Sequence, residues 1–211
     1  MNLGKLILRL VVGGLFVGHG LQKLRGSFGG PGIDAMSGAM ESMNMRPGRR
    51  NAFLAGGTET AGGVALALGF LTPVAAAGLI STMITAIRKV HWKNGVWNGG
   101  GGFEYNAVLI AAVAALSDDG PGTVSIDAAL GKRRWGTFGV VFALVGGIVG
   151  SIAAVELGRR GGTPFGDPGD GPSSDDDGPA DGPDDALTSS EEPEGMLPAD
   201  SEEVAAESGA A

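Results

Sequence analysis

Residues 52–90 read AFLAGGTETAGGVALALGFLTPVAAAGLISTMITAIRKV, two apolar stretches parted by Thr72 and Pro73. Proline disfavours a helical conformation in the residue before it and suits the first turn of the helix it opens, so 52–71 and 74–90 are expected as two helices. Joined so tightly, they must be antiparallel neighbours. Glycine and alanine run through both, and in lipid such small residues let helix backbones approach. A hydrocarbon core of ~30 Å takes about 20 helical residues, so the pair is a hairpin of membrane dimensions.

The same pattern extends in both directions. Apolar segments also occupy 6–24, 103–116 and 136–155, and the last has full spanning length without a charge. The segment 103–116 is shorter and borrows interfacial residues at its end. Glycine is 40 of 211 residues, far above the usual level of about 7%. Gly14 with Gly18, and Gly146 with Gly150, have the small-xxx-small spacing of close helix contacts. Lys5 ahead of an apolar run raises the question of a secretory signal, but Arg9 interrupts the run and no small-residue cleavage site follows, so 6–24 is expected to be a retained first span. The chain is therefore read as an all-α membrane protein.

Charge divides the chain sharply. Residues 1–155 hold 13 Lys/Arg against 7 Asp/Glu, whereas 156–211 hold 2 against 16. The acidic segment, with GDPGDGPSSDDDGPADGPDD at 166–185, has too little apolar content to bury a core and is expected to be a disordered, solvating tail over 161–211. With five spans, Arg25, Arg46, Arg49, Arg50, Arg88, Lys89, Lys93, Arg159 and Arg160 fall on one side, and Lys5, Lys132, Arg133 and Arg134 on the other. The positive-inside rule then places the N-terminus outside and the C-terminal tail in the cytoplasm of a multi-pass cell-membrane protein.

Without cysteine the chain offers no disulfide, thiolate zinc site or Fe–S cluster, so redox chemistry would need a borrowed cofactor or partner. The run GGGG at 99–102 lacks the phosphate-loop pattern, which excludes a nucleotide motif there, and no feature points to nucleic acid. Asp34 could cap a short helix carrying Met36, Met40 and Met43 on one face, a stripe read as packing rather than as a copper site. The two histidines, His19 and His91, lack a haem attachment motif, and no metal ligand set is assigned.

Ionisable groups within a span cost about 2.5–3.5 kcal/mol for Asp, Lys or Arg at the centre, so each needs a reason. Arg9 reads as an interfacial anchor or an ion-pair partner of Asp118 or Asp127. Antiparallel threading brings His19, Glu59, Glu104 and His91 toward one membrane face, with Glu59 about 10 Å deep at 1.5 Å per residue. Gln22 lies one turn from His19, and Arg88 and Lys89 approach as cations. The stretch HWKNGVWNGGGGFEYN at 91–106 adds Trp92, Trp97 and Tyr105 at the interface, where tryptophans form an aromatic belt. Together these residues outline a polar pocket between helices.

LRLVVGGLFVGHGLQKL in the first span, FGGPG at 28–32, GGTETAGGVALALGFLTPVAA across the hairpin, HWKNGVWNGGGGFEYN and DDGPGTVSID at 118–127 resemble the DoxX family of small membrane proteins over about residues 1–130. The resemblance implies a four-helix transmembrane bundle over 1–130, to which this chain adds a fifth span in 131–160 and the tail. It also implies association with quinone-linked thiosulfate oxidation or with complexes handling oxidative and thiol stress. Positions similar to the family's are His19, Gln22, Lys23, Glu59, Glu104 and Tyr105.

The expected function is a redox-associated membrane subunit. Glu59, His19 and Glu104 form its catalytic set, with Glu59 carrying protons, His19 donating to a ligand carbonyl and Arg88 serving as charge partner. His19, Gln22, Arg88, His91, Trp92 and Tyr105 would contact a quinone. The expected partners are the lipid bilayer and other membrane or redox subunits. The alternative is a non-catalytic scaffold whose helices bind membrane proteins and whose tail recruits soluble ones; a small-solute transporter rests on the intramembrane charges alone.

Overall fold

Glycines set the spacing of the first helix pair. In the computed structural model, which describes residues 3–161, α1 (Leu3–Arg25) packs along α3 (Gly48–Leu68). A Cβ on Gly13 would stand 2.6 Å from the Gly63 carbonyl oxygen, and one on Gly63 equally close to that of Gly13. One further pair, Gly20 against Gly56, repeats the contact two turns along, so the helices run antiparallel at near backbone contact. Gly14 and Gly18 face open space instead. The small-residue seam of α1 thus has a spacing of seven, and the expected four-residue pair lies on the wrong face.

Between these helices, α2 (Gly32–Ser42) lies against α3. Met40, Met45 and Ala52 are buried there, with Met36 and Met43 packed on them, so the methionine stripe forms a small apolar cluster. Asp34 does not cap α2: it sits inside the first turn and pairs with Arg49 at 2.9 Å.

The hairpin forms as the sequence requires. Gly69 closes α3 in the left-handed conformation, φ 63°, which a residue with a Cβ enters only at a cost. α4 (Thr72–Ala86) opens with Pro73 in its first turn. Its axis continues through a π turn at Ile87–His91 and a 3-10 turn at Trp92–Asn94. α5 (Glu104–Asp119) returns antiparallel, α6 (Ile126–Ala129) lies in the following loop, and α7 (Gly136–Arg159) packs beside α4. Gly146 meets Ala77, Gly147 meets Ile80 and Gly150 meets Ser81, so the second small-residue pair does face a neighbouring helix. α7 buries only the stripe of Gly139, Ala143, Gly147, Ser151 and Gly158. Phe138, Val141, Phe142, Val145, Ile148 and Val149 are exposed, the surface expected of a helix solvated by lipid.

All described elements are helical. Three helices have the length and apolarity to cross a membrane: Leu3–Arg25, Thr72–Asn94 and Gly136–Arg159. α3 is long enough but carries Arg49, Arg50, Glu59 and five glycines, and α5 has 16 residues. The tail expected over 161–211 lies, beyond Gly161, outside the described residues.

At one end of the bundle the 120–135 loop is pinned by two buried charges. Arg9, 3% exposed, donates to three carbonyls: Nε to Ala67 (2.9 Å), Nη2 to Val124 (2.5 Å) and Nη1 to Pro121. It is thus neither a snorkelling anchor nor a partner of Asp118, although Asp127 acts on it electrostatically. Asp127 caps α4 from outside its own helix. Its carboxylate accepts from the Leu71 and Thr72 backbone N–H groups, the Thr72 hydroxyl and the Trp135 indole at 2.8–3.1 Å.

Candidate functional site

At the opposite end, α1, α2, α3, α4, α5 and α7 line a cavity of about 740 Å³. Half of its lining is methionine, alanine, glycine and leucine, and among its polar members His19, Lys23 and Glu59 cluster where α1 meets α3. Why they gather follows from helix phase. His19 and Lys23 are one turn apart on α1, and Glu59 projects from the facing stretch of α3, beside the Gly20–Gly56 contact that draws the two backbones together.

Glu59 is 2% exposed, and its carboxylate accepts from the Lys23 ammonium at 2.5 Å. Lys23 also reaches the His19 carbonyl at 3.5 Å. The His19 ring lies between two partners, with Nδ1 3.1 Å from the Gln22 side-chain oxygen and Nε2 3.3 Å from the Tyr105 hydroxyl. Its edge meets the Tyr105 ring at a centroid distance of 5.8 Å. Asn106, next to Tyr105 and buried, donates to Met83 sulfur at 3.4 Å.

His19, Glu59, His91 and Tyr105 therefore share the cavity wall, with Gln22 held behind His19. Other expected residues stand elsewhere. Glu104 turns to the preceding loop and accepts from the Asn98 N–H at 3.0 Å, capping the turn rather than lining the cavity. Arg88 is not the charge partner of Glu59: it donates to the Ser151 carbonyl and hydroxyl on α7 at 3.3 Å. Trp92 is exposed and stacks on Phe103 with centroids 5.7 Å apart, also off the cavity. His91 lies at the rim, its Nδ1 2.7 Å from the Gly101 carbonyl, where it fastens the glycine loop.

Adjacent residues of a helix point about 100° apart, so within the π turn Arg88 leaves toward α7 while Lys89 donates to the Met43 carbonyl at 2.8 Å, beside the cavity. Lys23 and Asn106 are members of the site that spacing alone did not single out. Lys23 was legible as the residue one turn beyond His19; Asn106 would be found only from the face that α5 turns inward.

Residues 4–92 match the family model described as DoxX. This stretch is a DoxX domain. Comparison with curated proteins and with solved structures gives no match. The DoxX domain spans α1 to the end of the π turn and supplies His19, Gln22, Lys23, Glu59 and His91. Tyr105 and Asn106 come from α5, beyond the matched residues. With its apolar helices, the DoxX domain makes the chain a multi-pass membrane protein embedded in a lipid bilayer.

Proposed function

We propose that the cavity receives the head group of a quinone-like molecule and handles the accompanying protons, as part of a redox-associated membrane subunit. The observation that carries this reading is the Glu59–Lys23 pair, with Glu59 buried, which lines the same cavity as His19 and Tyr105. An intramembrane carboxylate is costly, and its presence beside hydrogen-bonding side chains and space for a ring gives that cost a use. Methionines opposite supply the soft, adaptable surface that an apolar ring or its tail needs.

In this reading five helices span, and the packing of the bundle keeps Glu59 of α3 and Asn106 of α5, 2% and 6% exposed, away from lipid. The cationic residues at the cavity end of the bundle orient that end toward the cytoplasm of the cell membrane. Other membrane or redox subunits bind the exposed apolar faces and exchange electrons with the bound ring. Glu59→Gln and His19→Ala, expressed at wild-type level in membranes, test the site: quinone-dependent activity falls at least tenfold. Full activity in both variants removes the assignment.

A further inference from the structure

The side-chain oxygen of Gln22 can only accept a hydrogen bond, so His19 Nδ1, 3.1 Å away, carries the hydrogen. A neutral imidazole has a single N–H, which leaves Nε2 bare. In that tautomer its neighbour at 3.3 Å, the Tyr105 hydroxyl, donates to it. The phenolic hydrogen is committed to His19, and what Tyr105 has left to offer the cavity is its oxygen lone pairs. This reverses the direction expected from the sequence, in which His19 donated to a ligand carbonyl.

We infer that Gln22, His19 and Tyr105 form a proton-accepting relay, and that the ligand reaches it as a hydroxyl donor: the reduced, dihydroxy form of a quinone-like ring. The inference rests on the quinone reading of the cavity and adds the redox form that binds. In the transfer, the ligand O–H bond breaks and its proton joins the Tyr105 oxygen. The hydrogen of Tyr105 passes to His19 Nε2. The products are a ligand oxyanion and an imidazolium whose Nδ1–H still donates to Gln22, and no electron moves in this step. Tyr105 touches the ligand; His19 and Gln22 are positioning residues. Edge-on packing of the two rings holds the phenol in register with Nε2. Lys23 reaches both the His19 carbonyl and Glu59, tying the relay to the carboxylate that faces the same cavity.

The chain contains two histidines and one tyrosine, so spectroscopy can address each group singly. Nitrogen-15 NMR of histidine-labelled full-length protein in lipid nanodiscs, with the His19 signals assigned from their absence in His19→Gln, reads the tautomer. The expected result is a protonated Nδ1 and a bare Nε2, with that preference lost in Gln22→Met. An Nε2–H tautomer in the wild type, or no change in Gln22→Met, overturns the relay. Binding of decylubiquinol and decylubiquinone to the same nanodiscs then tests the ligand form. The reduced form is expected to bind tighter, and Tyr105→Phe to weaken it about fivefold, the equivalent of one hydrogen bond. Equal or tighter binding of the oxidised form overturns the proposal but leaves the quinone reading standing. Failure of both forms to bind the wild type overturns the quinone reading and the ligand assignment together.

Discussion

The Glu59 carboxylate and the Lys23 ammonium meet at 2.5 Å, the former 3% and the latter 22% exposed at the side chain. A buried pair of this kind gains little over two well-packed apolar residues, yet losing one partner strands the other charge. Lys23→Met is therefore expected to destabilise the detergent-solubilised protein by roughly 2–3 kcal/mol. The double variant Lys23→Met/Glu59→Met should recover most of the loss. Thermal unfolding followed by size-exclusion chromatography checks both; a double variant no better than the single one would show that the pair is not the cause.

The α1–α3 seam makes a positional prediction. Gly63→Ala places a methyl 2.6 Å from the Gly13 carbonyl oxygen, where backbone must move. The expected cost is about 1–3 kcal/mol. Gly14→Ala and Gly18→Ala, one helix face away, meet nothing within 4 Å and should leave the melting temperature unchanged. Equal effects at all positions would mean that the two helices do not touch along this seam.

Asp127 joins the 120–135 loop to the start of α4 through four accepted hydrogen bonds. Asp127→Ala leaves the buried Thr72 N–H and hydroxyl and the part-buried Leu71 N–H and Trp135 indole unpaired, at about 1–3 kcal/mol for each buried group. Asp127→Asn retains one acceptor oxygen and should lie between wild type and alanine in thermal stability. A change in Trp135 fluorescence should accompany the alanine variant, and its absence would contradict the indole contact.

All three tryptophans, Trp92, Trp97 and Trp135, stand at helix ends, and Trp97 is 74% exposed. Reconstituted in bilayers, they should be quenched by lipids brominated near the head group and little affected by bromines at mid-chain. Strong mid-chain quenching would place these ends inside the hydrocarbon.

The hairpin was legible because proline and glycine act locally: Pro73 starts a helix whatever surrounds it, and each apolar segment had to fold its backbone groups internally in lipid. That His19 and Glu59 line one cavity was also legible, since antiparallel threading fixes depth. Rotation about each helix axis was not. Glu104 and Tyr105 are adjacent in sequence, yet only Tyr105, itself 37% exposed, reaches the cavity wall, while Glu104 caps its own loop. Arg88, inside the π turn, faces Ser151 on α7 rather than Glu59, an orientation that apolar periodicity does not announce. Arg9 found carbonyls rather than a carboxylate because the 120–126 loop folds over it, a long-range closure with no local signature.

The central claim is that the cavity walled by His19, Glu59 and Tyr105 holds a quinone-like ring in the membrane. Mass spectrometry of protein purified in mild detergent measures this most directly. The account predicts near-stoichiometric quinone with the wild type and its loss from Glu59→Gln and His19→Ala variants that remain monodisperse. Wild-type protein free of quinone after extraction from quinone-rich membranes, or variants that retain it in full, would contradict the claim.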